Sequence, residues 1–435
     1  MIKRDKYLAQ LISNKENGFP KVITGIRRCG KSFLLKEIYR RYLIDSGTDP
    51  DNILTVELDM DTGVRYRNPL TLGKYVRDYC RGKGKCFVFI DEIQLVNSII
   101  NPEYTNGRIV LAKPGDENAI SFVEVVLGLS HEKNIDLYVT GSNSRMLSSD
   151  IVTEFRDKAT IINIGPLSFE EYYLHVGGSK TEAFSDYLRY GGMPLAVLKE
   201  KNDRKKYLKN LFNTTYIADI LEHNRIKKSE ALDELYNIIS ACTGELINSQ
   251  KLADTYNSVS RLNIDKDTVT RYIGYFIDAF IIREARRYDV KGKREIGAQR
   301  KYYFADTGLR NARLDFSFTD EGHLLETAVF NELVYNGYSV SVGTYDKVEK
   351  DSLGKSIKKN YEIDFLARRG NRVFYIQTSS DISKEDTRNR ELKPFIALND
   401  QIQKVLVVNK PIDEALDENG FIIIGITDFL LRFIK

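Results

Sequence analysis

Thr24-Gly25-Ile26-Arg27-Arg28-Cys29-Gly30-Lys31-Ser32 lies between the apolar run Lys21-Val22-Ile23 and the helical pattern Phe33-Leu34-Leu35-Lys36-Glu37-Ile38. Its GxxxxGKS spacing is that of a phosphate-binding loop in a strand-loop-helix setting. Gly25 and Gly30 let the backbone curl, so that successive N–H groups converge on phosphate oxygens at the positive end of the helix opened by Lys31. Lys31 adds a point charge for the terminal phosphates. The Ser32 hydroxyl suits the shell of Mg²⁺, which takes oxygen ligands in near-octahedral geometry. The nucleotide-binding stretch is therefore Gly25, Ile26, Arg27, Arg28, Cys29, Gly30, Lys31, Ser32 and Phe33.

Cys86-Phe87-Val88-Phe89-Ile90-Asp91-Glu92 is an unbroken apolar run ending in two carboxylates, the pattern of a strand buried on both faces of a parallel sheet. Ligands of such sheets bind at the carboxyl ends of the strands, which brings Asp91 and Glu92 beside Lys31. Asp91 is the expected metal residue and Glu92 the residue that orients and polarises water. A third strand, Ile135–Thr140, ends in Gly141-Ser142-Asn143-Ser144, a polar tip that could report on a terminal phosphate. Arg156 has two readings: a guanidinium offered to a neighbouring subunit's site, which requires a homo-oligomer, or a surface arginine on a helix.

At 435 residues the chain is long for one core, so several domains are expected. Its 42% hydrophobic and 29% charged residues give a soluble globular balance, and a net charge of +4 neither demands nor excludes nucleic acid. Four cysteines without a CxxC pair, beside four histidines, argue against a structural zinc site and for reduced thiols in the cytoplasm. The apolar tail from Phe421 to Leu431 is too short to span a membrane and carries Asp428.

Alternating strands and helices through Thr140 predict an α/β fold, a parallel αβα sheet over residues 1–165. The segment from Asn101 to Ala119 reads as a loop insertion. Ser168 with Glu171 forms a capping-box signal, and Arg189-Tyr190-Gly191-Gly192-Met193-Pro194 is a turn opening a helical lid or connector over 166–228. Within 229–305, three helical runs precede Ile281–Ala285, the basic loop Lys291-Gly292-Lys293-Arg294 and Lys301–Phe304. That order is that of a winged helix-turn-helix, with Thr268, Thr270 and Arg271 on the recognition helix. Such modules contact double-stranded DNA or serve as protein docking units, and both readings stay open.

Over 306–435, Leu324–Leu333 is an amphipathic helix carrying Glu326. Tyr361-Glu362-Ile363-Asp364-Phe365 alternates, which puts Glu362 and Asp364 on one face and Ile363 and Phe365 on the other. A neighbouring strand holds Gln377. A helix acid, a strand Asp and an adjacent strand form the skeleton of a Mg²⁺-dependent nuclease, in which the adjacent strand should carry an acid and a lysine two residues apart.

With these motifs and Pro166-Leu167-Ser168-Phe169, the chain resembles the bacterial and archaeal AAA-type P-loop ATPases that end in a restriction-endonuclease-like domain of unknown function. The resemblance spans almost the whole length. It implies ATP as the nucleotide, an AAA module, a winged helix and a C-terminal α/β nuclease-like domain. By it, Lys31, Asp91 and Glu92 do the hydrolytic work with Mg²⁺, and Ser142 or Asn143 acts as sensor. Glu326, Asp364 and Gln377 match the nuclease positions. The chain departs from the pattern at Gln377-Thr378-Ser379, which lacks both the second carboxylate and the lysine, so the C-terminal domain reads as degenerate. The nucleotide state would then be coupled to a partner, DNA or protein, held by the C-terminal half.

Overall fold

The computed structural model describes residues 1–435 except 114, 142–154, 156–157, 213–215, 218–219, 222–225, 227–228, 261–262, 318–319, 351–354 and 399. The chain divides into two compact units, Lys3–Gly165 and Pro166–Ile277 with Ile281–Lys435; Met1 and 278–280 group with the first and Ile2 with the second.

The first unit is built on a parallel five-stranded sheet in the order Ile53–Glu57, Cys86–Asp91, Ile135–Thr140, Lys21–Thr24, Thr160–Asn163. Every residue of the Cys86–Asp91 and Ile135–Thr140 strands is buried, as their unbroken apolar character requires of central strands covered on both faces. On one face pack the helices Pro69–Cys80 and Phe122–Ser130, whose Leu72, Val76, Val126 and Leu129 meet Val88, Ile90 and Leu137. Asn68 caps the first helix by accepting from the N–H groups of Leu70 and Thr71, and Ser121 with Glu124 forms a capping box on the second. Opposite lies the helix that follows the loop, formed by Lys31–Phe33, a π-wound stretch Leu34–Tyr39, and Arg40–Asp45. Its Tyr39 packs on Phe89 and Tyr138 with ring centroids 6.0 and 5.1 Å away. The insertion after Asp91 is mostly irregular; the two-residue strands Ile99–Ile100 and Ala119–Ile120 pair across it.

In the second unit Ser168 and Glu171 make the expected capping box on the helix Phe169–Val176. The helices Lys180–Tyr190, Lys201–Leu211, Ser229–Ala241, Ser249–Val259 and Lys266–Asp278 precede the hairpin Ile282–Asp289 and Arg294–Phe304. That hairpin does not stand apart. Arg287-Tyr288-Asp289 pairs in parallel with Val342-Gly343-Thr344, so it completes one eight-stranded sheet with everything C-terminal to it. The expected division at 305/306 therefore runs through a single sheet. One face carries the helix Glu321–Tyr335, whose Leu325, Val329 and Leu333 pack with Phe365, Ile376 and Val405; the other carries Glu385–Ala397, whose Leu392 and Phe395 pack with Ile363, Tyr375 and Leu406.

The alternation expected along 361–365 breaks. Ser341 pairs with Leu366 but Gly343 with Ile363, so Asp364 and Phe365 together oppose Val342 in a β-bulge. Ile363 consequently belongs to one core and Phe365 to the other.

The Gly191-Gly192 turn is tied down by a buried carboxylate. Asp306 accepts from the N–H of Gly192 at 2.6 Å and of Leu309 at 2.9 Å, the latter capping the helix Thr307–Arg313. A Cβ on Gly191, whose φ is +70°, would lie 2.1 Å from an Asp306 carboxylate oxygen, so glycine is required there. Burial pushes the Asp306 carboxyl up to about 6, against the lowering effect of these N–H groups. A folded-state value above the unfolded one means that the folded state holds more protons in this window. The contribution of Asp306 is thus complete below about 4 and is lost as pH rises through about 6. In denaturant titrations, wild type should lose more unfolding free energy between these pH values than Asp306→Asn does. Equal slopes would remove Asp306 as the titrating group.

Candidate functional site

The loop after the Lys21–Thr24 strand is shaped by residues in the left-handed region: Gly25 at φ +137°, Arg28 at +67° and Gly30 at +98°. A Cβ on Gly25 would lie 1.9 Å from the Ile164 carbonyl oxygen, which is why only glycine fits where the loop crosses the end of the Thr160–Asn163 strand. The loop is held from behind. Cys29, buried, donates its thiol to the Ile164 carbonyl at 3.4 Å; Arg4 donates from Nη2 to Gly165 O at 2.7 Å and from Nη1 to Cys29 O at 3.4 Å. The Gly165 N–H in turn donates to the Tyr7 hydroxyl at 3.0 Å. Ile26 is buried, Arg27 half-buried, and Arg28 and Phe33 are exposed.

Lys31 is buried, and its Nζ donates to the carbonyls of Gly25 at 3.0 Å and Ile26 at 3.1 Å, folding the side chain across its own loop. Ser32 donates from Oγ to Asp91 Oδ1 at 2.9 Å, so the loop and the acidic strand end meet as their sequence positions suggested. Thr140, at the end of the next strand, also donates its hydroxyl to Asp91 Oδ1 and accepts the Glu92 N–H at 3.1 Å. Lys36, one turn into the helix, lies 2.9 Å from Asp91 Oδ2 and also contacts Glu57. Glu57 is the register partner of Asp91 on the neighbouring strand. Burial alone would raise the Asp91 carboxyl, but hydrogen bonds from Lys36, Thr140 and Ser32 hold it below the usual carboxylate range. Glu92 has φ +56°, uncommon for a residue other than glycine, and its carboxylate is bonded by the Gln94 side-chain amide. Ser142, Asn143 and Arg156 lie outside the described residues.

Lys36, Glu57 and Thr140 were not singled out from the sequence as site residues. Glu57 ends an apolar run as Asp91 does, a signal that could have found it. Lys36 looked like any charge on an amphipathic helix.

A second polar cluster lies in the other unit. Glu326 is buried, and its Oε1 accepts from Lys301 Nζ at 2.8 Å and from the Tyr303 hydroxyl at 2.5 Å. Lys301 Nζ is also 2.8 Å from Glu362 Oε1. Asp364 Oδ2 accepts from the Thr378 N–H at 2.8 Å and hydroxyl at 2.9 Å, and Gln377 Oε1 accepts the Asp364 N–H at 2.9 Å. Burial, and then the charge of Glu326, push the Asp364 carboxyl up to about 7 despite Lys301 and Thr378. Glu326, Asp364 and Gln377 thus gather in one place. Lys301 lies on the Arg294–Phe304 strand, within the expected winged-helix segment, so its sequence position does not mark it as a neighbour of these carboxylates.

Residues 17–173 match the family model described as AAA domain, and residues 181–320 match Domain of unknown function (DUF8612). The chain is 28% identical over 439 residues to an uncharacterised protein of Haemophilus influenzae, covering 99% of each. It is 25% identical over 412 residues to an uncharacterised protein of Methanocaldococcus jannaschii, covering 91% of this chain and 81% of that one. Among solved structures it is similar to the Aeropyrum pernix ORC2 protein, at 11% identity and a TM-score of 0.38 over 72% of this chain and 92% of that one. It is also similar to the replication initiator DnaA bound to AMPPCP and single-stranded DNA, at 14% identity and a TM-score of 0.30 over 62% and 85%. Scores this low carry neither ligand nor partner from those proteins to this chain. Where the glycine loop and the Asp91 strand end meet, the match of residues 17–173 to the AAA domain model and the parallel sheet agree, and together they support an AAA-type P-loop fold for this part of the chain.

Proposed function

We propose that the first unit binds ATP with Mg²⁺ and hydrolyses it, and that the nucleotide state is coupled to a partner held by the C-terminal half. The observation that carries this reading is the 2.9 Å bond between Ser32 Oγ and Asp91 Oδ1, next to a buried Lys31 on the same loop. Hydroxyl and carboxylate oxygens are the donor set that a hard divalent cation prefers, and the loop N–H groups suit polyphosphate. Ser32 and Asp91 would hold Mg²⁺, which when bound neutralises charge on the phosphate oxygens.

Lys31 leaves the carbonyls of Gly25 and Ile26 and donates to terminal phosphate oxygens. Glu92 orients the attacking water and takes its proton, with the Gln94 amide and the Thr140 hydroxyl setting its position. Lys36 keeps Asp91 ionised and aligned. Ser142 or Asn143 acts as the phosphate sensor, and Arg156 is the candidate for a guanidinium supplied in trans by a second copy.

Double-stranded DNA is the partner with specific support. Thr270 and Arg271 are exposed on the Lys266–Asp278 helix, and Lys291, Lys293 and Arg294 are exposed at the hairpin tip, an arrangement of basic groups suited to phosphate contacts in a winged helix-turn-helix. The C-terminal sheet is then a degenerate nuclease-like domain that binds rather than cuts.

The test is equilibrium binding and turnover of ATP with Mg²⁺, with and without double-stranded DNA. Wild type should bind ATP below millimolar concentration; failure to do so removes the proposal. Glu92→Gln should retain affinity while turnover falls by about 10²–10⁴-fold, the usual contribution of a positioned general base. Stimulation by DNA identifies it as partner, whereas turnover indifferent to DNA favours a protein.

A further inference from the structure

The nuclease-like pattern of the C-terminal sheet calls for a divalent metal between Glu326, Asp364 and the residue at 377. The donors present do not fit one. The Gln377 carbonyl oxygen is turned onto the Asp364 N–H, and Asp364 Oδ2 is taken by the backbone and hydroxyl of Thr378. Glu326 Oε1 is shared by an ammonium and a phenol. Among the described residues no group of three acidic, histidine or cysteine side chains is placed to hold a metal ion.

What lies between the carboxylates is Lys301, a side chain only 4% exposed with its Nζ 2.8 Å from both Glu326 and Glu362. An ammonium buried to this degree persists only when carboxylates surround it, and these come from the Glu321–Tyr335 helix and the Ser356–Arg369 strand. Three elements thus meet at one point: the Arg294–Phe304 strand with Lys301, the Glu321–Tyr335 helix with Glu326, and the Ser356–Arg369 strand with Glu362 and Asp364. A divalent cation would have to lie in contact with that ammonium, where like charges repel in a water-poor setting.

We propose that Lys301 is a built-in cation that takes the place of a divalent metal in the Glu326, Glu362 and Asp364 cluster and closes it to metal. The C-terminal sheet then keeps a carboxylate constellation without metal-dependent phosphodiester chemistry. Lys301 is thus no substitute for the missing motif lysine, which would act alongside a metal; it excludes the metal.

The test is Mn²⁺ binding by the full chain without nucleotide, read by electron paramagnetic resonance in an Asp91→Asn background that removes the loop site. The parent should bind no stoichiometric Mn²⁺. Lys301→Met should gain one site, tightening apparent affinity at least about tenfold, and adding Asp364→Asn should remove it again. Mn²⁺ should raise the melting temperature of Lys301→Met, or of Lys301→Gln if the methionine variant does not fold, and leave the parent unchanged. A parent that binds one Mn²⁺ lost on Asp364→Asn overturns the proposal, as do folded Lys301 variants that gain none. The parent's result decides the matter if neither variant folds. Because Asp91 is already disabled, none of these outcomes depends on the ATPase reading.

Discussion

Lys31→Ala should lower ATP turnover by about 10²–10³-fold, the loss typical when one preorganised donor to developing charge is removed. The reason is specific to this loop. Lys31 Nζ is already inside the site, held by two carbonyls of its own loop, so delivery to phosphate needs a shift of hydrogen bonds and no rearrangement of backbone. Removing the ammonium leaves the loop N–H groups in place, because the shape of the loop rests on Gly25, Gly30 and the Arg4 and Tyr7 contacts behind it. Nucleotide affinity should therefore fall along with turnover, while the loss of these two buried hydrogen bonds costs no more than about 1–3 kcal/mol of unfolding free energy. Fluorescent-nucleotide titration and calorimetry together check this. Full turnover in Lys31→Ala would show that hydrolysis arises elsewhere.

The largest stability effect is expected beneath the sheet rather than at its rim. Lys21 is completely buried and contacts Asp136 on the adjacent strand. Asp136 Oδ2 also accepts the Tyr138 hydroxyl at 2.7 Å and the Glu16 N–H at 3.0 Å, and Tyr138 meets the Tyr39 hydroxyl at 2.6 Å. Burial lowers the Lys21 amine below its ordinary value, against the opposing pull of Asp136. Lys21→Met strands a carboxylate in this interior and should cost about 3–5 kcal/mol. At about 2–4 °C per kcal/mol for a unit of this size, its calorimetric transition should drop by about 6–20 °C. The double variant Lys21→Met with Asp136→Leu should recover most of that loss, since a buried pair exchanged for packed apolar groups is often neutral. A double variant as unstable as the single one would assign the loss to packing instead of charge.

The residues legible in the sequence share one property: their meaning is local. Gly25, Gly30, Lys31 and Ser32 lie within eight positions, where φ preferences and the start of a helix dictate the backbone. Asp91 could be read because an apolar run buried on both faces has its polar terminus at the sheet edge. Lys36 and Lys301 escaped for the opposite reason. A lysine on a helix or strand is ordinarily a solvated charge, and nothing nearby in the chain marks the carboxylates it will meet. The bulge at Asp364 was hidden as well, because period-two alternation assumes a regular ladder and one inserted residue reverses it.

The amino-acid sequence by itself determined the phosphate loop, the strand ending at Asp91, the alternating order of the parallel sheet and the cap at Ser168. Each follows from spacing, propensity or burial within a single element. Only the tertiary structure decided which charges meet: Lys36 with Glu57 and Asp91, and Lys301 with Glu326 and Glu362. It also decided that the hairpin after the Lys266–Asp278 helix completes the C-terminal sheet. Ion pairs and sheet edges are settled by which surfaces are left to bury once the elements exist. That choice depends on the whole core and is written in no one stretch of the chain.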